Sequence, residues 1–172
     1  IRQRERITKD IVRIKLRLGA LLFQFNISIP DRFTKTQIRS WTKAYTSWLL
    51  NIEGLEPSLN QIITNYVNLG MQLRKELLIV IKQIRSLGFS KYKSDLELIR
   101  TIPGVGFMTG IYFLVQLGDI KRFGNNDELN SYIGLIPKMH SSGPKTRASK
   151  LTNRGRKEMK IDLIEASWIS IK

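Results

Sequence analysis

The 172-residue chain has no cysteine and a single histidine, His140. The first absence excludes disulfide staples and thiolate zinc sites, and the second excludes a histidine metal cluster, so any metal would need carboxylates. Carboxylates are scarce as well: 14 Asp and Glu stand against 29 Lys and Arg, for a net charge of +15. Asp119, Asp127, Glu128, Asp162 and Glu165 follow no spacing that compels a metal site. No apolar run approaches the roughly 20 residues needed to cross a bilayer. The opening stretch "IRQRERITKD" is too charged for a signal peptide. These absences predict a soluble, cytoplasmic protein without a membrane partner.

What is present is enough apolar sequence, 42% of the residues, to bury one or two cores. The surplus of positive charge favours a polyanion as partner and points first to nucleic acid. The chain begins on Ile1, and its first residues already have the texture of a helix interior. It is expected to be a fragment of something longer.

From Ile7 the apolar positions Ile7, Ile11, Ile14, Leu18, Leu21 and Phe25 recur every three or four residues, which predicts an amphipathic helix. Pro30 disfavours helix at Ile29, and a second helix is expected from about Lys35 to Leu50, with Ile38, Trp41, Tyr45, Trp48 and Leu49 on one side. A longer one begins near Ser58, with the stripe Leu59, Ile62, Tyr66, Leu69, Leu73, Leu77, Val80, Ile84 and Leu87, and is expected to end at Gly88. Its near-heptad spacing fits a coiled-coil arm, most simply an antiparallel hairpin with the first helix, and fits two core helices of a bundle equally well. The last region reads as helix to Arg100, a "TIPGVG" turn, helix from Phe107 to Leu117, a short helix around Asp127 to Ile133, a "GLIPKMHSSGPK" loop and a closing helix after Gly155. No segment alternates with period two for long. The expected architecture is all-α, with at most a short extended pair beside the Ser-Ser-Gly loop. Its divisions are 1–56 (connector and first arm helix), 57–90 (long arm helix) and 91–172 (a helical domain).

Three features of the last region carry chemistry. "LIRTIPGVGFMTGIYF" resembles a helix-hairpin-helix, in which Gly104 and Gly106 let the backbone turn sharply and the new helix offers free N–H groups to a phosphate oxygen; a tight turn that touches nothing is the alternative. Lys145, Arg147, Lys150, Arg154, Arg156, Lys157 and Lys160, with one acid, Glu158, among them, make a strip of net +6 over sixteen positions. It fits either a solvated basic face or a phosphate-tracking surface. Ser141 and Ser142 lie in "MHSSGPKTR", where a serine needs a base or a metal to become a nucleophile. Local chemistry alone leaves this stretch a plain loop.

Taken in order, IPGVG, LGDI.RF, L..YIGL.P, SSG, T.RG and EA.W over Asp95 to Lys172 resemble the C-terminal domain of the insertion-sequence transposases of the IS110/IS116 group. Upstream, "IPDRF" followed by "WTKAYTSWL" resembles the connecting helices of the same family. The chain departs from the family pattern at Gly155-Arg156 and Met159-Lys160, where the family usually has Gly-Asn and Leu-Arg. The resemblance implies a DNA transposase or site-specific recombinase whose serine, Ser142 with Ser141 the close competitor, attacks the DNA phosphodiester. It implies that magnesium is bound by a RuvC-like domain which this chain lacks, so that the fragment alone does not cut DNA. It further implies DNA as partner, a guide RNA in some members, and homo-oligomers formed through the helical arm. The other expectation is a non-catalytic module that binds nucleic acid and oligomerises.

Overall fold

A computed structural model of the chain describes residues 1–34, 41–142, 145–152 and 154–171. Seven α-helices and one antiparallel strand pair are described: α1 (Arg2–Gln24), α2 (Asp31–Thr34), α3 (Lys43–Leu50), α4 (Pro57–Ile99), α5 (Phe107–Leu117), α6 (Asn126–Ile133), β1 (Pro137–Ser142), β2 (Lys145–Leu151) and α7 (Lys157–Ser170). A short 3-10 turn, Ile120–Arg122, precedes α6. The fold class is all-α, and the extended pair contains the two serines instead of flanking them. The chain divides into two compact units, Ile1–Arg85 and Ser86–Lys172.

In the first unit Ile7, Ile11, Ile14, Leu18 and Leu22 of α1 share one buried cluster with Leu59, Ile63, Val67 and Val80 of α4. The α1 stripe ends on Leu22, and Phe25 lies 51% exposed beyond the last turn. Phe25 is the C-cap residue (φ −95, ψ 15), so it stands outside the helix and no longer follows its face. The α4 stripe also differs from the expected one: Ile62 and Leu69 are exposed, while Ile63, Val67 and Gly70 are buried. Gly70 explains the shift. A Cβ there would run into the indole of Trp41, itself 6% exposed, so the missing side chain is the slot that the ring fills. A search for apolar side chains passes over a glycine that belongs to the core.

The second helix starts later than expected, at Lys43. Thr42, with extended backbone, accepts the Tyr45 N–H on its hydroxyl at 3.2 Å, which fixes the start as a side-chain cap. Residues 35–40, including Ile38, lie outside the described residues. Phe33, Tyr45 and Trp48 form an aromatic triad with ring centroids 5.3 to 5.7 Å apart.

Nor does α4 stop at Gly88. It continues to Ile99, with one non-helical residue, Tyr92 (φ −131, ψ 29), inside the "SKYKS" stretch expected to be a hinge. Gly88 is buried because a side chain would press on the Phe107 ring (3.0 Å) and on Ile111 (3.2 Å) of α5. Packing, and not helix termination, requires the glycine. The core of the second unit is built on Leu96, Ile111, Leu117, Ile133, Met159 and Ala166.

Two glycines on helices therefore differ in sign. Gly19 of α1 has open space around it, and Gly19→Ala is expected to raise stability by up to ~1 kcal/mol through helix propensity. Gly70→Ala is expected to lower it by about 1–3 kcal/mol, because overpacking against Trp41 outweighs propensity. Urea unfolding of the two variants followed by circular dichroism checks both signs.

Candidate functional site

The candidate site is assembled in the second unit by three turns, each requiring glycine. At the end of α4 the chain turns through Gly104, whose φ of +83 is a left-handed conformation that glycine adopts without strain. A Cβ at Gly104 would collide with the carbonyl oxygen of Ala166 in α7. The close approach available at Gly104 is thus to the closing helix, which anchors the "IPGVG" turn. Two residues on, Gly106 is exposed with open space around it, and α5 starts there without a side-chain cap.

The other two turns meet each other. α6 ends on Gly134 (φ +91), whose N–H donates to the Asn130 carbonyl at 2.8 Å, as does that of Leu135. Gly155 (φ +92) lies against it: a Cβ on Gly155 would stand 2.6 Å from the Ile133 oxygen and 2.7 Å from the Gly134 nitrogen. In return a Cβ on Gly134 would meet the Arg154 carbonyl. The Arg156 N–H donates to the Ile133 carbonyl at 3.1 Å, and that of Thr152 to the Ile136 carbonyl at 3.0 Å. The "YIGL" and "TNRG" elements, about twenty residues apart in sequence, are joined backbone to backbone.

Between them run β1 and β2. The register pairs His140 with Arg147, Ser141 with Thr146 and Ser142 with Lys145, and is irregular between Pro137 and Met139. Ser141 and Ser142 are the last two residues of β1, so the expected loop is a strand at both serines. Gly143 and Pro144 lie outside the described residues, as does Asn153. The strand pair is clamped at its open end by buried Thr152, whose hydroxyl accepts the Arg154 N–H at 3.2 Å and whose carbonyl accepts from the Lys160 ammonium at 2.7 Å.

The basic strip is split by these contacts. Lys145 and Arg147 are on β2, opposite Ser142 and His140. Lys150, Arg154 and Lys157 are exposed. Lys160 is tied to Thr152 as a structural cation. Arg156 is drawn to the Tyr132 phenol oxygen, to which its Nε donates at 3.1 Å, while that hydroxyl donates to the Gln116 carbonyl at 3.0 Å. Arg122 joins from the 3-10 turn, its guanidinium carbon 4.5 Å from the centre of the Tyr132 ring and 4.6 Å from that of Phe123. Burial pushes the Tyr132 phenol up, but hydrogen bonding to Arg122 and Arg156 and their charges outweigh it, and the net shift is downward. In sequence Arg156 stands out as one charge of a run and as a departure from the family's Gly-Asn, whereas Arg122 and Tyr132 are not singled out. The one available signal was the "RF" and "Y" of the same motif set.

Among the described residues no three His, Asp or Glu side chains gather as metal ligands could, and no described helix is long and apolar enough to cross a membrane.

Residues 96–172, which carry the closing helix, the strand pair and the glycine turns, match the model of the transposase IS116/IS110/IS902 family. It is 33% identical over 78 residues to the transposase for insertion sequence element IS1111A of Coxiella burnetii, covering 45% of this chain and 21% of the relative. It is 23% identical over 173 residues to the transposase for insertion sequence element IS1328 of Yersinia enterocolitica, covering 98% of this chain and 48% of the relative. A pilin gene-inverting protein of Moraxella bovis is 39% identical over 68 residues, 39% of this chain and 21% of that protein. The chain spans less than half the length of these relatives. No solved structure matches it.

Gly155→Ala is expected to destabilise the second unit by on the order of 2 kcal/mol or more, from left-handed backbone strain plus the collision with Ile133. A lowered thermal midpoint in circular dichroism, set against one that is unchanged or raised for Gly19→Ala, checks it.

Proposed function

We propose that this chain is the DNA-holding and serine-bearing part of a DNA transposase or site-specific recombinase. The observation that carries the reading is the family match over residues 96–172, together with the contact between the "YIGL" and "TNRG" turns on either side of the serine strands. The match supplies the class of activity, transposition or inversion of DNA, from what the relatives are named for.

In this reading Ser142, with Ser141 as the competitor, attacks a DNA phosphodiester through its hydroxyl oxygen. The bond to one strand end breaks, and a phosphoserine link preserves the phosphodiester for rejoining. A hydroxyl needs its proton removed to attack. The described carboxylates form no cluster for that purpose, and magnesium belongs instead to the RuvC-like domain of the longer protein. The exposed Lys150, Arg154 and Lys157, with Lys145, Arg147 and Arg156, bind backbone phosphates without reading sequence, and Lys160 contributes field from its place on Thr152. The start of α5 at Gly106 offers amides to a further phosphate in the manner of a helix-hairpin-helix, with Gly104 shaping the turn. The α1–α4 arm oligomerises the protein, and a guide RNA, where one is used, occupies the same basic field.

Ser142→Ala in the full-length protein is expected to abolish strand transfer, a loss of at least ~10³-fold by analogy with removal of other nucleophiles, while duplex binding stays within about twofold. Strand transfer by both the Ser142→Ala and Ser141→Ala variants at parental rates contradicts the serine assignment and favours a non-catalytic binding module.

A further inference from the structure

Arg122 and Arg156 come from different elements, the 3-10 turn and the cap of α7, yet both converge on the single phenol of Tyr132. Their guanidinium carbons lie 4.5 and 5.2 Å from its ring centre. Neither is ion-paired with a described carboxylate, and both are exposed. The acids nearby are committed elsewhere or partly so. Glu128 accepts the Gly124 N–H at 2.9 Å and the Asn125 amide at 3.4 Å, closing the α6 cap, and Asp127 stands in the first turn of α6. Two like charges held at one ring repel, and the arrangement is relieved by an anion that accepts from both.

The ring is also a well-braced post. The Tyr132 hydroxyl is anchored on the Gln116 carbonyl at the end of α5, and Phe123 packs on the ring at 5.3 Å between centroids. Stacking on aromatic faces limits how each guanidinium turns, so less side-chain freedom is lost when a phosphate is bound. The downward shift of the Tyr132 phenol reports the positive potential at this point.

We propose that Arg122 and Arg156, positioned by Tyr132, form a two-arginine clamp for backbone phosphate of nucleic acid. The clamp rests on the nucleic-acid reading above and adds to it Arg122, which lies outside the basic strip, and Tyr132 as a positioning residue. A shallow depression lined by Arg122, Phe123, Ser131 and Tyr132, and on its other side by Asn125, Asp127 and Glu128, opens beside it, so a phosphate is held at the arginine side and away from the two carboxylates.

The test is a salt titration of binding of the whole chain to a short DNA duplex, followed by fluorescence anisotropy. For the double variant R122Q/R156Q the slope of log affinity against log salt should shrink by nearly two, about 0.9 for each phosphate that is no longer neutralised, with affinity at fixed salt falling on the order of tenfold per arginine. R122K/R156K should restore most of the slope and only part of the affinity, because charge returns without the fork. Tyr132→Phe should weaken binding several-fold with the slope unchanged. A double variant with parental slope and affinity overturns the clamp, and a Tyr132→Phe variant of parental affinity overturns the positioning role. If the unsubstituted chain binds no duplex at all, the nucleic-acid reading itself fails, and the clamp with it. If the double variant loses its helical signal, the Nε resonances of Arg122 and Arg156 in the parental chain decide instead: movement on adding duplex supports the clamp, and their standing still overturns it.

Discussion

Everything in the second unit depends on one backbone contact, Gly134 against Gly155. Both residues sit at positive φ, and each occupies space where the other's neighbour would collide with a side chain. Such a contact is specified by the absence of atoms, so no other residue type meets both demands of space and dihedral. Its consequence is positional. The Arg156 amide joins the cap of α7 to Ile133, the last residue of α6, and the Thr152 amide closes the end of the β1–β2 pair on the Ile136 carbonyl. The serines and the basic strip are thereby attached to one scaffold.

Gly104 extends the same logic. Its turn rests on the Ala166 carbonyl, so the "IPGVG" and "EA.W" motifs are two halves of a contact. Motifs that look like separate signatures along the chain are here pairs of surfaces in space. This also accounts for Lys160: it stands in a run that reads as a nucleic-acid surface, yet its ammonium closes on the Thr152 carbonyl and stiffens the clamp beneath the strands.

Much of the fold was legible. The bounds of α5, Phe107 to Leu117 after the Gly-x-Gly turn, were as expected, and α6 starts one residue before the expected Asp127 and ends at Ile133. The stripe Ile7, Ile11, Ile14, Leu18 gave α1 its face. What was not legible came from tertiary packing that a linear pattern does not carry. Gly88 and Gly70 resemble breakers in sequence but serve as slots for Phe107 with Ile111 and for Trp41. In α4 the buried Ile63, Val67 and Gly70 stand one residue past the expected 62, 66 and 69, while Leu59 and Val80 of the expected stripe are buried and Leu73, Leu77 and Ile84 pack on the core. The serine stretch has loop composition, yet it pairs as a strand because cross-strand hydrogen bonds satisfy its backbone. At the site, family resemblance singled out the serines, whereas Arg122 and Tyr132 emerged only when the 3-10 turn, α6 and α7 were seen to converge.

The central claim is that the glycine contact makes the serine strands part of one cooperative structure with α6 and α7. Amide hydrogen exchange measures this directly at Thr152 and Arg156, whose N–H groups cross the contact at 3.0 and 3.1 Å. The account predicts that both amides exchange only when the α6 and α7 amides do, as one opening unit. Exchange of Thr152 and Arg156 at unprotected rates, while α6 and α7 remain protected, would contradict it.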